Sequence, residues 1–407
     1  MTLDLTLAQR TEQMQASMLR EILKVAARPG MISLAGGMPA AESFPLALIG
    51  QLQQRVLAKY GADGLQYSPT EGFPPLRAAL AAYLTQKGIL ATAESIHITS
   101  GSQGALDALG KVLLDRGDRV AVEAPTYLGA LQAFNPYRPC YVPLESDGSG
   151  LLPGSLERVL QQGRVKFVYL VPTFQNPTGR TIPLERRQQI AELLIRYRAL
   201  LVEDDPYGEL RYQGQAVVPI QTLAPDNVVY VGSLSKVLAP GFRIGYYLAP
   251  EPLAKWLVIA KQGVDLHTST CNQALAAEYI GSGHLAAQLP IIVAHYRPKL
   301  IAMQEALARF FPLEYRWTSP AGGMFLWVEG PAGVDSDDLY LRAVARGVAF
   351  VPGRYFFTEP GAGQAAMRLN FTLGNEHSLV QAISILGQEI DRALPRRRTI
   401  PLALARR

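Results

Sequence analysis

Cysteine is almost absent from this chain: two in 407 residues, Cys140 and Cys271, with no CxxC pair and no His/Cys cluster at metal-ligand spacing. That scarcity argues against a disulfide scaffold or a zinc module, and no metal site is expected. Also missing is any apolar run long enough to span a bilayer. The first residues, which include Asp4, lack the unbroken apolar core of a secretory signal. A cytoplasmic chain with no membrane partner is therefore expected. Charge is sparse, at 18% of residues, and the whole net charge of +5 is carried by residues 391–407, where six arginines face one aspartate. The body is neutral, so it does not read as a polybasic nucleic-acid binder, and the basic tail reads as a solvated end.

What the chain does have is apolar mass, 48% of 407 residues, enough for a large core and for more than one domain. Short, near-continuous apolar runs at 96–99, 119–123, 140–143, 165–171, 199–203, 228–231 and 243–248 alternate with helical segments such as 103–114 and 184–197. Runs that do not alternate suit a mostly parallel sheet covered on both faces. The predicted fold is α/β, with seven strands in the large domain. Helical spacing also marks 2–28, ended by Pro29-Gly30, and 46–60. From about 290 the pattern changes to a long helix over 291–310, paired strands around 315–328, a helix at 336–345 and a strand at 368–371. These divide the chain into an N-terminal arm (1–45), a large domain (46–290), a smaller α+β domain (291–390) and the tail (391–407).

Ligands of open α/β sheets bind beyond the carboxyl ends of the strands, so the residues following each run matter most. After 96–99 come Ser100-Gly101-Ser102-Gln103, small residues opening a helix whose free N–H groups and dipole suit an anion. Tyr127 follows the next strand and could stack on a planar ring or sit half-buried in the core. The rigid turn Phe174-Gln175-Asn176-Pro177-Thr178-Gly179 aims the Asn176 amide. Asp204 ends an apolar strand and needs a cationic partner, such as a protonated pyridine nitrogen, with Tyr207 three residues on; Asp205 fits an exposed acidic turn. Last comes Gly232-Ser233-Leu234-Ser235-Lys236, with Arg243 beyond it. Burial and a neighbouring cation would lower the pKa of Lys236 and make it nucleophilic, and the two hydroxyls with Arg243 suit a phosphate. Alone, Lys236 also fits a surface lysine lying over apolar neighbours. Arg368, between Met367 and Leu369, wants a buried anion, whether a substrate or a structural carboxylate.

With the runs Leu34-Ala35-Gly36-Gly37-Met38-Pro39, Gln66 to Gly72, Phe174 to Gly179, Glu203 to Tyr207, Ser233 to Gly245 and Gln262 to Thr268, residues 16–386 resemble the fold-type I pyridoxal-phosphate aminotransferases of class I/II. More narrowly, they resemble the branch of 2-aminoadipate (LysN-type) and kynurenine aminotransferases. The resemblance implies that Lys236 holds the cofactor through an imine. Ser102, Gln103, Ser233, Ser235 and Arg243 would bind its phosphate, Tyr127 would stack on its ring, Asn176 and Tyr207 would bond the ring oxygen and Asp204 the ring nitrogen. Tyr67 would reach the phosphate of a second subunit, implying a homodimer with shared active sites. Arg368, Asn176 and the Gly36-Gly37 backbone would hold the substrate carboxylate, and Arg20, on a mobile helix, an acidic side chain.

The implied reaction moves the amino group of an L-amino acid (2-aminoadipate, glutamate, branched-chain or aromatic) to a 2-oxo acid such as 2-oxoglutarate, with ping-pong kinetics. Two other functions compete with it. A lyase or decarboxylase using the same cofactor is disfavoured by Arg368, since clamping a carboxylate opposes its loss. A cofactor-sensing regulator would need a DNA-binding module, for which the roughly 30 residues at the start of this sequence are too few.

Overall fold

The computed structural model describes residues 6–14 and 18–393, with backbone only at 13 and 18–20. The expectations for the Arg20 side chain and for tail residues 394–407 lie outside the described residues.

Seven strands form the main sheet: β1 (His97–Ser100), β2 (Arg119–Glu123), β3 (Cys140–Leu144), β4 (Val165–Leu170), β5 (Leu201–Asp205), β6 (Val228–Ser233) and β7 (Ile244–Leu248). Their order is β1-β7-β6-β5-β4-β2-β3, and β7 alone runs antiparallel to its neighbours. Successive strand residues bury on opposite faces. Val120, Val122, Phe167 and Tyr169 join one core, while Ala121, Val168 and Leu170 join another. Covering both faces in this way is why the strands read as continuous apolar runs. Each buried Val, Leu or Phe contributes on the order of 2 kcal/mol.

Two boundaries differ from expectation. Among the described residues the first α-helix is Met18–Ala26, which stops short of 28, before Pro29, whose ring disfavours helical geometry at Arg28. The long helix begins at His284, not at 291, and runs through Pro290 and Pro298 to Phe310. Proline within a helix costs roughly 3 kcal/mol, but here Ile292, Tyr296, Leu300, Met303 and Leu307 are all buried, and packing outweighs propensity.

The smaller unit is a four-stranded antiparallel sheet of β8 (Arg316–Trp317), β9 (Phe325–Glu329), β10 (Val351–Pro352) and β11 (Ala366–Asn370), in the order β8-β9-β11-β10. Ile32–Ser33 pairs in parallel with Val348–Ala349, which draws the Gly36-Gly37 segment over the carboxyl edge of the main sheet. Among the described residues, no helix is long and apolar enough to cross a membrane.

Candidate active site

At the carboxyl edge of the sheet, β1 passes through Gly101 into the helix Ser102–Leu113. Gly101 has φ +80°, and a Cβ there would sit 2.4 Å from Arg243 Nη2. A Cβ on Gly245 would lie 2.4 Å from the Ser102 nitrogen. The two glycines therefore let the turn after β6 close onto the helix N-terminus. Among the described residues no side chain caps that N-terminus; the Gly104 N–H turns back to the Gly101 carbonyl (3.0 Å), and those of Ser102 and Gln103 are left for an anion. Ser233 Oγ donates to Ser235 Oγ (3.0 Å) and accepts the Ser235 N–H (3.1 Å), which fixes both hydroxyls beside the cradle.

A cavity of about 360 Å³ opens from this cradle, lined among others by Gly37, Ser102, Gln103, Tyr127, Asn176, Asp204, Tyr207, Ser233, Ser235, Lys236, Arg243 and Arg368. Clefts of about 560 Å³ beside Arg180 and beside His97 are larger, but neither joins an amine, a carboxylate and an anion cradle.

Lys236 Nζ donates to the Gly37 carbonyl at 2.8 Å. Burial, with Arg243 and Arg368 nearby, lowers its pKa from 10.5 to about 8. Asp204 is 1% exposed. Its Oδ2 accepts the Tyr169 hydroxyl at 2.7 Å, while the equally buried Oδ1 has no partner among the described residues. Burial raises its pKa to about 7 against the opposing Tyr169 bond, and Asp205 adds to the rise. Burial likewise pushes Tyr127 to about 12 and Tyr207 above its ordinary value.

The Asn176 amide donates to the Tyr207 hydroxyl (3.1 Å) and accepts from Arg368 Nη1 (2.8 Å). Arg368 Nη2 donates to the Ala35 carbonyl (2.6 Å), and its guanidinium lies 4.2 Å and 5.0 Å from the ring centres of Phe325 and Phe356. Among the described residues its buried Nε has no partner, and no carboxylate pairs with the guanidinium. The structural salt bridge left open by the sequence is thus not what Arg368 makes; a buried guanidinium with no carboxylate partner among the described residues lines the cavity.

Two expected residues stand apart. Tyr67 is 78% exposed, packs edge-on against His267 and does not line the cavity of its own chain. Gly36 lies beside the cavity, with Leu23, Met38 and Leu373 filling the space around its Cα. The expectation for Asp205 is corrected. Its side chain is only 7% exposed, paired with Lys87 and accepting the Tyr230 hydroxyl, because strand β5 runs two residues further than its apolar run and carries Asp205 into the sheet.

Several contributors were not singled out in the sequence. Tyr169 bonds Asp204 from inside an apolar strand; a lone hydroxyl on a doubly buried strand is the signal that could have found it. Arg187 donates to the carbonyls of Pro172, Ile182 and Val218 and to the Thr173 hydroxyl, pinning the loop that carries Asn176. Leu23 and Met38 give the cavity mouth an apolar wall.

An anion cradle, an amine of lowered pKa and a buried carboxylate oxygen awaiting a donor, all at the edge of this sheet, define a fold-type I pyridoxal-phosphate enzyme. The model of the family described as aminotransferase class I and II matches residues 30–386, and the chain belongs to that family. It is 45% identical to aromatic-amino-acid aminotransferase 1 of Thermococcus litoralis over 93% of this chain and 92% of that protein. The kynurenine aminotransferase of Pyrococcus horikoshii, solved in complex with PMP, superposes with a TM-score of 0.92 at 43% identity, over 96% of this chain and 98% of the other. LysN, the α-aminoadipate aminotransferase of Thermus thermophilus, solved with N-(5'-phosphopyridoxyl)-L-leucine, gives 0.88 at 39% identity, over 95% and 97%. The chain is thus an aminotransferase of the 2-aminoadipate and kynurenine branch, and its cofactor is pyridoxal phosphate. The orphaned Asp204 Oδ1 fits that group, since a protonated pyridine nitrogen is the donor it lacks.

Proposed function

We propose that Lys236, Asp204 and Tyr207 carry the chemistry of this aminotransferase and that Arg368 binds the α-carboxylate of each substrate. When bound, pyridoxal phosphate supplies an aldehyde and an electron-withdrawing ring that takes up the electrons freed at the donor's α-carbon. Ser102, Gln103, Ser233, Ser235 and Arg243 hold its phosphate, Tyr127 flanks its ring, and Asn176 and Tyr207 bond its ring oxygen. Asp204 keeps the proton on the ring nitrogen through Oδ1. Lys236, neutral in a substantial fraction at physiological pH, removes and returns the proton at the substrate α-carbon. Support comes above all from the free Oδ1 of Asp204 and the lowered pKa of Lys236 within one cavity.

The donors proposed are acidic amino acids (2-aminoadipate, glutamate) and apolar or aromatic ones, with 2-oxoglutarate as acceptor. Leu23 and Met38 suit apolar side chains, and Arg20 is assigned to acidic ones. A donor screen against 2-oxoglutarate tests this: glutamate should form from several donors, and no transfer from any would overturn the assignment. Arg368→Gln should raise KM for every donor by roughly 10- to 100-fold, since a charge-assisted bond to carboxylate is worth about 1.5–3 kcal/mol; an unchanged KM would remove Arg368 from substrate binding.

We also propose a cytoplasmic homodimer in which Tyr67 completes the phosphate site of the second copy, together with the domain limits 1–45, 46–290, 291–390 and 391–407. The exposure of Tyr67 outside its own cavity supports the dimer. Sedimentation should give twice the chain mass, and a monomer that is fully active would exclude shared sites.

A further inference from the structure

Behind the active site lies a charged cluster that the mechanism above does not use. Lys87, just past the helix Pro74–Gln86, places Nζ 2.8 Å from Glu209 Oε1 and 3.4 Å from Asp205 Oδ2, with its side chain 24% exposed. The Tyr83 hydroxyl donates to the same Glu209 oxygen, and the Tyr230 hydroxyl donates to Asp205 Oδ2 at 2.8 Å. Asp205 Oδ1 accepts the Gly208 N–H at 2.9 Å, closing the turn from 205 to 208. A Cβ on Gly208 would sit 2.6 Å from that carboxylate, so glycine is what lets the turn close so tightly.

The arrangement follows from strand alternation. Asp204 and Asp205 are successive residues of β5, opposite Val231 and Gly232 of β6, and so point to opposite faces. Asp204 enters the cavity, and Asp205 turns away from it towards Lys87. The same amine therefore grips the chain at 205 and again at 209. Between those two points lies Tyr207, and directly before them lies Asp204.

We infer that Lys87 is a positioning residue: by clamping Asp205 and Glu209 together from the far side of the sheet, it sets where Asp204 and Tyr207 stand against the cofactor ring. The electrostatics agree with a permanently charged clamp. Burial works against the Asp205 carboxylate, yet Lys87 and the Tyr230 bond hold it below its ordinary pKa. Lys87 is likewise held well above its ordinary value by Asp205 and Glu209 despite burial. A half-buried ion pair is a poor source of net stability, since matched neutral side chains often serve as well. A role in placement gives this one a reason to exist.

The inference rests on the proposed roles of Asp204 and Tyr207, so the test measures both. Cofactor-free enzyme is titrated with pyridoxal phosphate, following intrinsic fluorescence, and kcat and KM are measured on the loaded enzyme. Lys87→Met should raise the cofactor dissociation constant and lower kcat, each by about 10-fold, with KM for the acceptor near wild type, because small displacements of reacting groups are costly. Lys87→Arg should recover most of both. Lys87→Met leaves two carboxylates without their cation and can fail to fold. The triple variant Lys87→Met/Asp205→Asn/Glu209→Gln removes all three charges together and decides the matter. If its cofactor affinity and kcat lie within two-fold of wild type while Asp204→Asn is strongly impaired, the inference is overturned and the roles in the site stand. If Asp204→Asn is unimpaired too, the underlying assignment has failed instead.

Discussion

Lys236→Ala is expected to lower turnover by at least about 10⁴-fold, the combined loss of a nucleophilic amine and of the base that moves the α-proton. No other amine in the cavity can substitute, since Lys236 is the only lysine among the described residues lining it. The folded chain should tolerate the change well. In the cofactor-free protein, burial depresses the lysine pKa from 10.5 to about 8, so the charged amine costs stability at neutral pH. The sign follows from proton counting. Between about 8 and 10.5 the unfolded chain holds a proton that the folded chain has released, so this residue makes stability rise with pH across that window. In Lys236→Ala that rise should vanish, and the melting temperature near neutrality should equal or exceed that of wild type. A variant that still transfers amino groups at more than a hundredth of the wild-type rate would sink the assignment of Lys236.

Asp204→Asn should lower kcat by about 10²- to 10³-fold, the magnitude typical of removing one preorganised electrostatic group from an active site. The amide keeps an oxygen for the Tyr169 hydroxyl but offers no negative charge to a protonated ring nitrogen. Cofactor affinity should fall with it. Stability of the cofactor-free protein should move the other way. Burial raises the Asp204 pKa from 3.8 to about 7, so over that range the folded chain retains a proton that the unfolded chain has lost, and stability falls as pH rises through it. Asparagine removes this dependence, so the variant should melt higher than wild type near pH 7 without cofactor and gain less on adding it. This is the expected exchange of stability for function at a site built to receive a charged partner. Equal cofactor affinity in the two proteins would show that Asp204 does not meet the ring.

The strands could be found from sequence because each is a local property. An apolar run, and the turn residues that stop it, lie within a few positions of one another, and covering a parallel sheet on both faces enforces the run directly. For the same reason, the residues at the strand ends (Ser102, Asn176, Asp204, Lys236) could be picked out one by one. Asp205 escaped this logic. Its run ends at Glu203, and nothing nearby in sequence announces that Lys87 will neutralise it 118 residues away. The start of the long helix was misplaced because proline is a local signal, whereas the burial that overrides it is not.

By itself, then, the sequence determined which residues could carry charge, bend the chain or enter a strand, since those are properties of side chains and their immediate neighbours. Only the tertiary structure decided which of them meet. Lys236 reaches the Gly37 carbonyl across 199 residues, Arg368 reaches Asn176 across 192, and the hydroxyl of Tyr169 settles on one oxygen of Asp204 and leaves the other free. These pairings arise when strand order and the packing of the smaller sheet bring distant faces together and exclude water. Exclusion of water is also what moves the pKa values of Lys236 and Asp204 towards neutrality.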